Sequence, residues 1–155
     1  MKIHRILTIL PIILLLTQCS DPKVPKANLL TDDYVKSIGF TSKSSKLVEQ
    51  EKWHLEKFGE AKIQTQHVKS VKPMKSSTDM FPRFDVVRET YANSGMANDR
   101  FQRINESDPS GYDNKSIQKG FVIDNSVWIV VADAHIFGYT QLDSFLTKLQ
   151  SELSL

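Results

Sequence analysis

The stretch Gly120-Phe121-Val122-Ile123-Asp124-Asn125-Ser126-Val127-Trp128-Ile129-Val130-Val131-Ala132 decides the fold. Two apolar runs rich in β-branched and aromatic residues flank Asp124-Asn125-Ser126, and Asx residues tolerate the positive φ that a tight turn demands. The spacing predicts a hairpin with strands over 120–124 and 127–132. The second run is apolar on both faces, so it belongs in the middle of a sheet. Gly138 breaks the chain after it. From an N-cap at Thr140, Leu142, Phe145, Leu146, Leu149 and Leu153 recur at helical spacing, and their stripe should lie on the hairpin.

Working back from the hairpin, Asn105 to Lys115 contains Asp108-Pro109-Ser110-Gly111, a turn signal that marks an exposed loop. Before it, Asn93 or Ser94 can cap a helix over 96–104, with Met96, Ala97, Phe101 and Ile104 inward. Phe84 to Tyr91 is short, aromatic and β-branched, which favours a strand. Ala61 to Val71 alternates with Ile63, Thr65 and His67 on one side, a second strand. Pro73 to Pro82 reads as the loop between them. Lys46 to Phe58 reads as a helix stopped by Gly59, with Val48, Lys52, Leu55 and Phe58 on one face and Trp53 at least half covered. Thr41 to Lys46 reads as loop. Thr31 caps a short helix whose first turn carries Asp32 and Asp33 and which ends at Gly39. The order is α-β-β-α-β-β-α, with helix-strand-strand occurring twice. It implies one α+β domain over 30–155: a small, largely antiparallel four-stranded sheet with helices packed mainly on one face.

The chain opens differently. Lys2 and Arg5 precede an uncharged run, Ile6 to Leu16, which ends in Leu16-Thr17-Gln18-Cys19. Eleven residues are too few to cross a bilayer, where about 20 are needed, but fit the apolar core of a secretory signal. Cys19 is the only cysteine. This segment resembles the signal peptide and lipobox of a Gram-negative bacterial lipoprotein, with Leu16 three residues before the cysteine. Gln18 takes the position where that family carries Gly, Ala or Ser. The resemblance covers these twenty residues only. It implies cleavage of 1–18, acylation of Cys19 and a lipid anchor in the bilayer. Ser20, rather than Asp, follows the cysteine, which implies the outer membrane, with the domain facing the periplasm. Residues 19–29, with Pro22 and Pro25, read as a tether.

Loss of residues 1–18 would leave 137, one domain's worth, with 18 basic against 18 acidic residues. That balance argues against nucleic acid as a partner. The charge is nevertheless divided: 11 Lys face 8 acids from Cys19 to Met80, whereas 7 basic residues face 10 acids from Phe81 onward. With Cys19 acylated no thiol remains, which excludes thiolate zinc sites and cysteine catalysis.

Few motifs suggest chemistry. Asp133-x-His135 offers two metal ligands on an extended segment, one short of the three that a zinc site needs. His54 and His67 are otherwise isolated in the sequence. Ser116-Ile117-Gln118-Lys119 matches the S-x-x-K of penicillin-binding enzymes, but neither K-T-G nor S-D-N accompanies it. Asp32-Asp33 reads as a helix-dipole pair. No nucleotide or cofactor motif is found, so the expectation is a protein without cofactor and without catalysis. Met74, Met80 and Phe81, in a Lys/Ser-rich loop, are the candidate contact residues for a partner. These features fit a binding or assembly subunit of an envelope complex. The alternatives are an immunity or exclusion lipoprotein facing a toxin or phage component, and, further off, a small cell-wall enzyme.

Overall fold

A computed structural model describes residues 28–74, 79–106, 116–133 and 139–154. In chain order the elements are α1 (Asp32–Ser37), β1 (Phe40–Ser42), β2 (Lys46–Val48), α2 (Lys52–Phe58), β3 (Ala61–Ser70), β4 (Arg83–Tyr91), α3 (Ser94–Glu106), β5 (Ser116–Ile123), β6 (Ser126–Asp133) and α4 (Tyr139–Leu153). The expected signal peptide and Cys19, the 107–115 loop and His135 lie outside the described residues. No described helix is long and apolar enough to cross a membrane.

The hairpin forms with longer strands than the expected 120–124 and 127–132, and Ser126 belongs to the second strand rather than the turn. β5 and β6 pair antiparallel from Ser116↔Asp133 to Ile123↔Ser126, and Asp124 takes the turn at φ 54°. Gly120 is required by its neighbour: a Cβ there would meet the Trp128 carbonyl oxygen at 2.4 Å. β6 is central, flanked by β5 and β4, and the order across the sheet is β1-β3-β4-β6-β5 with β2 also on β3. Every pairing among the described strands is antiparallel. The α+β class and the antiparallel sheet therefore stand, but the sheet has six strands rather than four.

The two added strands come from 40–48. β1 pairs with 68–70 of β3 and β2 with 63–65, so together they make one outer edge. Between Ser42↔Val68 and Lys46↔Thr65 the outer chain carries one residue more than β3, a bulge. Ser45 turns inward there: its N–H donates to Asn28 Oδ1 (3.1 Å) and its Oγ accepts from Leu29 N–H (2.8 Å). Leu29, the last residue of the expected tether, is accordingly buried. The expected helix over 46–58 is thus shortened to 52–58. Phe58 is inside as expected, while Val48 and Leu55 are outside.

Helices cover both faces, not one. Alternation along the strands sends Val68, Phe84, Val86, Trp128, Val130 and Ala132 to one side, under Val35 of α1 and Leu142, Leu146 and Leu149 of α4. Val87, Tyr91, Val127, Ile129 and Val131 face the other side, under Phe58 of α2 and Ala97 and Ile104 of α3. The reason is β6 itself: a strand apolar on both faces needs a layer on each. The two α-β-β units, α2-β3-β4 and α3-β5-β6, meet through their second strands.

Candidate functional site

The β3–β4 connection folds back on the sheet end. Ser70 N–H donates to Pro82 O (2.7 Å), Met74 N–H to Met80 O (2.7 Å) and Val71 N–H to Gly39 O (3.1 Å). These bonds shape a cavity of about 330 Å³ lined by Lys69, Asp79, Met80, Phe81, Arg83 and Asp133. Met80 is exposed, and the Lys69 ammonium stands 4.6 Å from the centre of the Phe81 ring, a cation–π contact. Lys69 and Arg83 are shared with a neighbouring depression of about 390 Å³, whose wall includes Lys43, His67 and Asp85. His67 Nδ1 and Asp85 Oδ1 are 2.5 Å apart across the β3–β4 pair, and both are half exposed.

Two of the three contact residues read from the loop, Met80 and Phe81, therefore share a wall with Asp133, which the sequence offered on other grounds. Met74 closes the loop through its backbone and is not among the lining residues. Among the described residues no three metal-ligating groups converge. Ser116 and Lys119 fail as a nucleophile and base for a geometric reason. Three residues apart on β5, they point to opposite faces of the sheet, and Lys119 Nζ is bound to Asp143 Oδ1 (2.5 Å).

A second cluster escaped the sequence reading. Glu89 of β4 and His54 of α2 are each only 4% exposed. Arg100 of α3 clamps the Glu89 carboxylate, Nε donating to Oε2 (2.9 Å) and Nη2 to Oε1 (3.2 Å). Tyr91 donates its hydroxyl to Oε2 (2.7 Å), and His54 Nε2 lies 3.2 Å from the same oxygen. Gln50 sets the imidazole tautomer. Its Oε1 accepts from Ala61 N–H (2.9 Å), so its Nε2 must face His54 Nδ1 (2.7 Å) and Gly59 O (2.8 Å). Nδ1 is then an acceptor, and the ring hydrogen sits on Nε2, toward Glu89. Burial alone would raise the Glu89 carboxyl. The bonds from His54, Arg100 and Tyr91, with the Arg100 charge, outweigh it and hold the group at about 2. Burial and the adjacent carboxylate push the Tyr91 hydroxyl well above the usual phenol range.

The chain matches no protein-family model, no curated protein and no solved structure.

The two clusters differ in what they can do. The Glu89 cluster is sealed by Phe58, whose ring carries Arg100 at 5.1 Å and packs on His54 at 5.3 Å. It ties α2, β4 and α3 together, with its carboxylate and imidazole buried among the described residues. The cavity at the sheet end is open, pairs apolar surface with both signs of charge, and can hold a side chain or small group from outside. A sequence clue to the sealed cluster did exist: Glu89 shares a strand face with Val87 and Tyr91, and a charge on an apolar face needs partners. Nothing in the spacing named His54 or Arg100 as those partners, because they come from two other elements, α2 and α3.

Proposed function

We propose that this chain is a lipid-anchored, non-catalytic binding subunit of an envelope complex, held by acylated Cys19 in the outer membrane with its domain in the periplasm. It needs no cofactor and uses no nucleic acid. The observation that carries the reading is the open cavity holding Met80, Phe81, Lys69 and Arg83, set against a sealed polar cluster. An adaptable thioether and an aromatic ring beside cations make an anchor pocket for a protein partner carrying an apolar and an acidic side chain. The charge division supports the same partner. On the sheet itself, β1, β2 and β3 carry Lys46, Lys62 and Lys69 and no acid, whereas β4, β5 and β6 balance three basic against three acidic residues.

The test is photo-crosslinking in the native membrane from a reactive residue at position 80, with Phe81→Ser as the loss variant. The expected result is one discrete envelope protein crosslinked from position 80 and lost in Phe81→Ser. A Phe81→Ser protein that is folded, lipidated and still fully functional overturns the reading. The immunity alternative is separated by the partner's identity, which would then be an incoming toxin or phage protein rather than a resident one.

A further inference from the structure

Four large apolar side chains stand in solvent within residues 47–55: Leu47 is 65% exposed, Val48 47%, Trp53 49% and Leu55 45%. Single exposed apolar residues are ordinary, whereas a concentration of them marks a contact surface. Leu47 and Val48 form the outer edge strand opposite Gln64 and Ile63. Trp53 and Leu55 follow on α2. The Trp53 ring is held in place, its indole N–H bonded to the Glu51 carboxylate and its edge against His54 (5.4 Å) and Phe58 (6.4 Å). Lys46, Lys52 and Lys57 are exposed around it, as are Glu49, Glu51 and Glu56. A fixed, half-exposed Trp on a helix with long lysines suits the headgroup level of a bilayer, where the ring and the lysine stems lie in the apolar part and the polar tips stay wet.

What selects the bilayer as occupant is where the preceding chain joins the fold. Asn28 and Leu29 are bonded to Ser45, two residues before Leu47. Cys19 lies nine residues before Asn28, and nine extended residues reach at most about 30 Å. Acyl chains on Cys19 would therefore enter the membrane within about 30 Å of this edge. We infer that the β2–α2 edge, with Leu47, Val48 and Trp53, rests on the bilayer that receives the acyl chains of Cys19, an inference that rests on the lipid-anchor reading above. The sheet then sets the orientation of the rest. Val48 lies opposite Ile63, whereas the cavity begins at Lys69 on the same strand, about 20 Å further along at the usual rise of a strand. With the edge down, the strands run along the bilayer, and the cavity lies about 20 Å to the side of this contact. Because the lysines and glutamates of this edge nearly balance, the contact is driven by apolar burial and little affected by salt.

The test uses full-length wild-type protein and the Cys19→Ser chain with phosphatidylethanolamine/phosphatidylglycerol vesicles whose acyl chains are brominated, alongside intact-mass measurement. Trp53 and Trp128 are the two tryptophans, and Trp128, buried beneath Phe121 and Arg88, is the internal reference. For lipidated protein, roughly half of the emission is quenched, equally at low and high salt, as expected for an interfacial ring. Trp53→Phe removes the quenchable share, and Leu47→Asp with Val48→Asp abolishes the quenching while the acylated mass is kept. Acylated, vesicle-bound protein whose Trp53 remains unquenched overturns the inference and leaves the anchor reading standing. A mass without acyl groups overturns the anchor reading instead. In that case quenching of the unlipidated chain upholds the edge contact, and its absence overturns it. Shielding of Trp53 from aqueous iodide that grows with protein concentration in the absence of vesicles assigns the edge to a second copy, and also overturns it.

Discussion

Glu89 is a carboxylate placed where a sheet should be apolar, and its surroundings make its ionisation part of the stability of the fold. Its folded-state value of about 2 is below the ordinary value of 4.5, so the group stabilises the fold above that ordinary value and ceases to do so as the pH falls toward 2. The difference corresponds to about 3 kcal/mol, lost progressively between those two pH values. Urea unfolding from pH 6 to pH 2 should show that fall, and Glu89→Gln should be less stable at pH 6 with a flatter profile over the same window. Gln66 plays a comparable part without charge. Fully buried, it receives Leu30 N–H on Oε1 (2.7 Å) and donates Nε2 to Leu30 O (3.3 Å) and Ser42 Oγ (3.0 Å). The side chain thus pairs with a backbone segment as a neighbouring strand would. Gln66→Leu keeps the volume but orphans the buried groups of Leu30, and should cost about 1–3 kcal/mol in denaturant unfolding.

Among the elements, β6 and α4 carry the larger core. Trp128 stacks on Phe121 with ring centres 6.4 Å apart and the planes 9° from parallel, and Phe145 meets Phe84 at 4.7 Å. Trp128→Ala should cost about 3–5 kcal/mol and Leu146→Ala about 2–5, the range for emptying a buried aromatic or leucine site. Thermal or urea unfolding checks both, and a cost below 1 kcal/mol for either would mean that the site is not packed as described. The outer edge shows the opposite balance. Phe40–Ser42 and Lys46–Val48 are three residues each and depend on β3 for every ladder bond. Split by a bulge, such an edge is a poor template for a further strand.

For the whole molecule the question is how one domain would combine the proposed anchor with an edge and a cavity. Membrane-extracted protein should lack residues 1–18 and carry lipid on Cys19, as read by intact mass. Cys19→Ala that remains in the membrane with the same mass as wild type would contradict the anchor. The strands divide their charge: β1, β2 and β3 carry three lysines and no acid on one flank, and β4, β5 and β6 balance three basic against three acidic residues on the other. Like charge on one flank steers an approaching partner and disfavours wrong ones, an effect that salt weakens.

The sequence by itself determined what is local and periodic. Asp124-Asn125 announced the hairpin turn, the unbroken apolar run 127–132 announced the central strand, and the leucine stripe to Leu153 announced the helix above it. Thr31 was legible as a cap, and its Oγ1 does accept from Tyr34 N–H at 3.2 Å. Of the site, Met80, Phe81 and Asp133 could be named singly. Only the tertiary structure decided what depends on residues distant in the chain. The segment 40–48 has no strand pattern of its own; it becomes an edge because β3 offers unpaired backbone groups there, and pairing with them outweighs the helical spacing of 46–58. The same pairing turned Val48 outward. Helices on both faces answer the apolar run of β6, but which helix covers which face depends on the strand order. His54, Glu89, Tyr91 and Arg100 meet because α2, β4 and α3 pack together, and only that burial separates a sealed brace from the open cavity beside Phe81.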